Sequence, residues 1–283
     1  MNHNAAAELE LVGIAVIAAQ PSGAAVGIVD DATEGSAILL GKRVLVGPTD
    51  PCGQCEVCRR GGAAVCPFAK HRDPSATRIR VASRWVVALE GGLELPVPAA
   101  AAVAGDVTTA YTLYARTGLG PREPVVVVGT SAVSRFLVEI LRGKGITPAV
   151  VISRDAPASW RDWLLRKGAA AVDDSTDLHT AVTTAIAAQG TGNRPWRVIA
   201  TDPSSVAVAA SLAGARATLT VLAQGSMPAL PGDLLAREVT VIGVAGPHPD
   251  LVVAAAALCV KGEIDLADGV GDGPDRARVL AFR

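Results

Sequence analysis

The sequence predicts a mixed α/β chain: a doubly wound parallel sheet preceded by a smaller β domain. Three observations predict it. After Pro98, short unbroken apolar runs alternate with helical stretches; before it, short strands are separated by turn signals; and within the first part four cysteines fall in fifteen positions, Cys52 to Cys66. The chain has 283 residues, of which 50% are hydrophobic. At roughly 100–200 residues per domain, that length suits two domains with ample core.

The first part reads as strands. Apolar runs at Leu11–Ala18, Ala25–Val29, Ala37–Leu40 and Val44–Val46 are divided by Pro21-Ser22-Gly23 and by Thr33-Glu34-Gly35. Such punctuation marks a small β domain. The run Leu11 to Ala19 falls far short of the roughly 20 residues a membrane helix needs. The apolar stretch from Leu95 to Val107 is broken by Pro96, Pro98 and Asp106. Met1 to Glu10 carries no positive charge before the first apolar run, so a secretory signal is not expected. These features predict a soluble, cytoplasmic protein with no membrane partner.

Cys52-Gly53-Gln54-Cys55-Glu56-Val57-Cys58 followed by Cys66 gives the spacing C-x2-C-x2-C-x7-C. Four thiolates close a tetrahedral shell around Zn²⁺ and leave no position open for a substrate. In a reducing compartment such a cluster points to a metal before disulfides. Reduced surface thiols and an iron–sulfur cluster remain the alternatives. Gly53, Gly61 and Gly62 allow tight backbone turns, and Arg59 and Arg60 can offset the negative charge of the sulfurs. Cys259, in the apolar stretch Leu251–Val260, reads as a small buried residue.

The second part follows a repeating grammar. Val125–Val128 ends at Gly129, and a helical stretch runs from about Ala132 to Arg142. Ala149–Ile152 is a second strand, followed by a helix near Ser159–Lys167 and a third strand near Ala170–Val172. Val198–Ala200, Ala217–Leu222 and Val239–Val244 complete the set. Continuous apolar runs suit strands buried on both faces, and strand–helix alternation implies a parallel sheet.

A net charge of −1 and 3% aromatic residues exclude a general nucleic-acid binder, which needs a basic face or stacking platforms.

The run Gly41-Lys42-Arg43-Val44-Leu45-Val46, the cysteine lobe from Pro51 to Cys66, and Val107-Thr108-Thr109-Ala110-Tyr111 carry a resemblance. So do Leu234-Leu235-Ala236-Arg237-Glu238 and Lys261-Gly262-Glu263-Ile264-Asp265. Over roughly residues 25 to 270 the chain resembles the medium-chain dehydrogenase/reductase family, with Lys42 where the family has Asp. The resemblance implies a Rossmann-type sheet over 98–265, a shortened GroES-like β domain over 1–97 with the structural zinc lobe at 52–66, and a short tail over 266–283.

The same resemblance exposes what is missing. The family's catalytic zinc is held by an early cysteine, a Gly-His-Glu segment and often a cysteine before the Thr-Thr pair. Here no cysteine precedes Cys52, no histidine lies between His3 and His71, and Gly105 stands where the third ligand often lies. Asp106 is adjacent, but one carboxylate does not make a three-ligand set. Without that Lewis acid the usual route to alcohol oxidation is not expected.

For the cofactor, the family's G-x-G-x-x-G turn becomes Gly129-Thr130-Ser131-Ala132-Val133-Ser134. Gly129 keeps the tight turn; Ser131 and Ser134 replace the second and third glycines, losing close approach but offering hydroxyl donors. Arg135 is read as a solvated charge unless an anion lies nearby. Ser153-Arg154 resembles an NADP-type pair, with Arg154 gripping a 2′-phosphate, while Asp155 leaves NAD open. Thr109 matches the position beside the nicotinamide, and Asp106 and Tyr111 are candidates for proton or hydrogen-bond donation, against a helix cap and a packed aromatic. His71 reads as an exposed loop residue and His179 as a helix-surface one, His248 as part of a rigid turn near the expected cofactor cleft with catalysis a minor alternative, Asp202 as a helix cap or cleft acid, and Trp160, Trp163 and Trp196 as packing. The expected function is NAD(P)H-dependent hydride transfer to or from a small carbonyl or activated alkene, in a homodimer joined at the sheet edge near Val239–Val244. The alternative is a relative that has left redox chemistry and binds a ligand or partner, or catalyses a non-redox reaction, in the old cleft.

Overall fold

A computed structural model describes residues 10–120, 123–174, 177–188, 197–224, 228–272 and 276–282. Trp196 and His3 lie outside these. The chain divides into two compact units.

The first unit comprises residues up to Thr108, Pro247–Lys261 and the chain from Arg278 onward. Its main sheet is built from β1 (Leu11–Ala19), β2 (Ala25–Ala32) and β3 (Arg43–Val46), joined by β6 (Arg78–Ala82) and β7 (Val86–Ala88). A small two-stranded ribbon pairs β4 (Thr49–Asp50) with β5 (Lys70–His71). Val12, Ile14, Val29, Val44, Val46 and Val81 fill the core beneath the main sheet. Each such side chain contributes roughly 1.5–3 kcal/mol by leaving water.

Two expectations about this part change. Ala37–Leu40 is no strand: Glu34–Leu39 forms a tight 3₁₀ turn. The reason is pairing, since β2 meets β3 directly, Ala25 opposite Val46, leaving that segment no partner strand, and Ile38 stands 75% exposed. The domain division also differs. Residues 98–108, expected in the second domain, belong to the first unit, as does the segment Pro247–Lys261. Nor is 266–283 a separate tail. A short helix Leu266–Gly269 belongs to the second unit, while Leu280–Ala281 pairs antiparallel with β1 and Phe282 N–H donates to Ile17 O at 2.8 Å. The strand edge of β1 is thereby covered.

The second unit comprises Thr109–Gly246 and Gly262–Ala277. Its sheet contains β8 (Val125–Val128), β9 (Ala149–Ile152), β10 (Ala170–Asp173), β11 (Arg197–Ala200), β12 (Thr218–Leu222) and β13 (Thr240–Val244). All pairs are parallel, in the order β10-β9-β8-β11-β12-β13. Every residue of β8 and β9 is buried, as their unbroken apolar runs require. The order reverses between β8 and β11, the switch point where such sheets bind ligands beyond the strand carboxyl ends.

Arg135 departs from its reading as a solvated charge. It is 3% exposed, its guanidinium lies 4.9 and 4.4 Å from the Trp160 and Trp163 ring centroids, and it pairs with Asp268 at 3.0 Å. The two indoles, one helical turn apart in Ala158–Arg166, stack at 4.9 Å. Arg135 thus ties three helices together. Its charge is matched inside the core, where desolvation makes an unmatched one costly.

Candidate functional site

The four cysteines converge. The Sγ atoms of Cys52, Cys55, Cys58 and Cys66 all lie within 4.8 Å of one another, with Cys66 at 3.6 Å from Cys52 and 3.9 Å from Cys55. A tetrahedron with Zn–S arms of about 2.3 Å has edges of about 3.8 Å, so the spacing fits a four-thiolate shell. Backbone N–H groups aim at the sulfurs: Cys52 at Cys66, Cys55 at Cys52, and Cys58 at Cys55, each at 3.4 Å. Such donors favour the charged form. The N–H groups of Gln54 and Cys55 draw the Cys52 thiol down to about 6, while burial and the neighbouring thiols push Cys58 up to about 12.

The lobe is held by its surroundings. Gly53 has a φ of +68°, and a Cβ there would strike the Arg84 guanidinium. That arginine donates to Cys52 O at 3.1 Å and stacks on Trp85, whose indole N–H donates to Pro51 O. Arg59 and Arg60 both pair with Glu56, at 2.8 and 2.7 Å, so much of their charge is spent there. His248 Nε2 meets Gly61 O at 2.9 Å and its Nδ1 accepts from Asp250 N–H, tying the segment Pro247–Leu251 to the lobe. Among the described residues this is the only group of three or more such side chains whose ligand atoms converge.

Gly105 and Asp106 are packed against Gln20. Gln20, only 1% exposed, donates its amide N–H to Asp106 Oδ2 at 2.7 Å and accepts the Asp106 backbone N–H at 3.1 Å. A Cβ on Gly105 would overlap the Gln20 amide oxygen. Asp106 is not a helix cap, one of its sequence readings. It sits inside a continuous helical run, in a π turn over Val103–Val107 between helices Val97–Ala102 and Thr108–Thr117. Such turns recur at functional sites. Burial pushes its carboxyl up to about 6, against a smaller pull from Gln20. Thr109 is buried, and the Tyr111 ring packs 5.9 Å from that of Tyr114.

In the second unit a cavity of about 210 Å³ opens at the strand carboxyl ends. Gly129, Thr130, Ser153, Asp174, Asp202 and Ser204 line it. Gly129 adopts φ +126°, and a Cβ would collide with Thr201 Oγ1 and Asp202 Oδ2. Only glycine closes this turn. The serines behave differently from expectation. Ser131 caps the helix Ala132–Gly143: its Oγ accepts from Ser134 N–H at 3.3 Å, and Ser134 Oγ accepts in return from Ser131 N–H at 3.2 Å. Ser134, read as a donor to the cofactor, is completely buried and lies 2.6 Å from Thr201 Oγ1. Its hydroxyl therefore braces helix against strand and does not face a ligand. Arg154 donates Nε–H to Asp174 O at 2.9 Å and is not among the cavity-lining residues; Ser153 is. Asp202 is a cap, accepting from Ser205 N–H at 2.9 Å, and also lines the cavity.

Solved structures share this architecture. An alcohol dehydrogenase from Thermus sp. ATN1 is 16% identical, with 96% of this chain and 87% of that one covered at a TM-score of 0.77. A short chain alcohol dehydrogenase from E. coli CFT073, complexed with NADH, is 18% identical over 96% and 92% at 0.76. The chain has the medium-chain dehydrogenase fold. A galactitol-1-phosphate dehydrogenase from Escherichia coli has this dehydrogenase fold too, at 17% identity over 93% and 85% and a TM-score of 0.76. No protein-family model and no curated protein matches the sequence.

This dehydrogenase fold implies a zinc and a dinucleotide, and both fit. The sulfur spacing suits the metal, and the cavity with its Cβ-excluding turn suits a nucleotide. No helix is long and apolar enough to cross a membrane among the described residues. Sequence reasoning missed Gln20, Thr201 and Asp174. Gln20 reads as a turn residue before Pro21, and Thr201 and Asp174 as strand-end polar residues. Only the fold gives them partners.

Proposed function

We propose that the protein is a nicotinamide-dinucleotide-dependent oxidoreductase that acts on a small carbonyl or activated alkene without a catalytic zinc, while a structural zinc occupies the four cysteines. The observation that carries this reading is the cavity at the switch point of the parallel sheet, closed by a turn in which only Gly129 fits. A bound nicotinamide would supply or accept hydride. The chain's own part is to hold the cofactor and handle a proton.

Ser153, Asp174 and the Gly129 turn would hold the nucleotide, with the N-terminal end of helix Ala132–Gly143 toward phosphate. Asp106 is the favoured proton-handling group, with Gln20 fixing its orientation. A carboxyl poised near 6 exchanges its proton near neutral pH, which is what general acid–base work requires. Thr109 and Tyr111 remain secondary candidates. A homodimer joined along β13 belongs to the same proposal.

The Ser131–Ser134 capping pair favours the second reading, a fold that has left redox chemistry, because it satisfies helix-end groups internally. Titration with NADH and NADPH, followed by nucleotide fluorescence, decides between them. Saturable binding, with loss of reduced-nicotinamide absorbance on adding aldehydes, ketones or enones, is expected; binding of neither nucleotide contradicts the oxidoreductase reading.

A further inference from the structure

The cavity has a chemical character beyond its shape. Its polar lining residues are Thr130, Ser153, Ser204, Ser205, Asp174 and Asp202, with no Lys, Arg or His among the described residues. Hydroxyls and carboxylates accept hydrogen bonds from a neutral diol. They offer no counter-charge to a phosphate, which carries about −1.5 to −2 at pH 7. A phosphate site needs cations in bidentate reach or converging N–H groups.

The cation in the neighbourhood is Arg154, and its placement matters. Its Nε–H is committed to the backbone oxygen of Asp174 at 2.9 Å, so the guanidinium sits beside the residue that brings a carboxylate to the cavity. Asp202, which also lines the cavity, accepts from Ser204 Oγ at 2.6 Å and Ser205 N–H at 2.9 Å, fixing a second carboxylate next to Gly129. At the Ser153 end, a carboxylate at Asp174 repels a 2′-phosphate and accepts hydrogen bonds from hydroxyl donors.

Resting on the dinucleotide reading above, we infer that the site selects NAD(H) over NADP(H), with Asp174 as the residue that rejects the 2′-phosphate and Ser153 with Asp174 receiving the ribose hydroxyls. The Ser153-Arg154 pair, which resembles an NADP grip in sequence, is overridden by the third strand: β10 delivers Asp174 to the same place.

The test is paired fluorescence titration of the zinc-loaded protein with NADH and NADPH, on wild type, Asp174→Asn and Arg154→Ala. The expected result is NADH at least tenfold tighter in wild type, with the preference narrowed at least fivefold in Asp174→Asn through improved NADPH binding. Arg154→Ala should leave NADH affinity within about twofold. Thermal melts establish that each variant is folded. Equal or tighter NADPH binding by wild type, or an unchanged preference in Asp174→Asn, overturns the inference while leaving dinucleotide binding intact. Binding of neither nucleotide overturns the dinucleotide reading and the inference with it.

Discussion

The cysteine lobe and the Gly129 turn are specified in different ways. In the lobe, every atom the chemistry needs is a side chain at a fixed spacing, and all four sulfurs converge. In the turn, the fit is a matter of backbone, and a φ of +126° at Gly129 admits only glycine. The two serines have been turned inward to brace the helix. A metal site tolerates no partial version, because losing one ligand opens the shell. A helix end does, because caps, dipole and neighbouring hydroxyls substitute for one another.

Breaking the sulfur side should produce the largest effect. Cys66→Ser is expected to abolish zinc retention and destabilise the first unit by several kcal/mol, since metal binding is folding free energy in such lobes. A thermal melt with elemental analysis checks it. A variant that melts like wild type would remove the lobe's structural importance.

The helix behind the turn comes next. Arg135→Ala removes the nearer partner of Asp268, which keeps Arg276 at 3.8 Å, and the nearest cation of both stacked indoles, Trp163 keeping Lys167 at 5.8 Å. A loss of about 1–3 kcal/mol is expected, read by urea unfolding with tryptophan fluorescence. A loss below about 1 kcal/mol would restore the solvated-charge reading.

Asp106 offers a pH-resolved test. Its carboxyl is held at about 6, against an ordinary 3.8, so the unfolded chain releases this proton first as pH rises. Its contribution to stability therefore falls between those two values and stays low above 6, by at most about 3 kcal/mol. Asp106→Asn should equal or exceed wild type in melting temperature at pH 7.5, and the gap should close below pH 4. A variant less stable at pH 7.5 by an amount that does not change with pH would mean the charge is not penalised. If Asp106 handles the proton, carbonyl reduction by wild type should decline as pH rises through about 6, and Asp106→Asn should lose that profile.

The smallest effect is at Ser134. Ser134→Ala removes the bond to Thr201 and should cost about 1 kcal/mol with nucleotide affinity unchanged. Lost nucleotide affinity at full stability would place the hydroxyl on the ligand after all.

The same contrast explains what the sequence could show. The parallel sheet was legible because β8 and β9 are apolar on both faces, and periodicity reports burial directly. The sulfur site was legible because spacing and ligand type are the whole specification. Ala37–Leu40 misled because a short apolar run does not reveal whether a neighbouring strand is available. Arg135 misled because its partners, Trp160, Trp163 and Asp268, are 25, 28 and 133 positions away. Gln20 was illegible for the same reason: its meeting with Asp106 spans 86 positions. Polar residues that act through distant partners carry no local signature. The final strand Leu280–Ala281 was missed because its role is fixed by the exposed edge of β1.

The central claim is that the four cysteines hold one zinc, the described residues bringing together no second set of ligands. Elemental analysis of metal-replete protein, purified without a metal-affinity tag, tests it directly. One zinc per chain, lost completely in Cys66→Ser, is the predicted result. Two zinc ions per chain, or one that survives in Cys66→Ser, would contradict it.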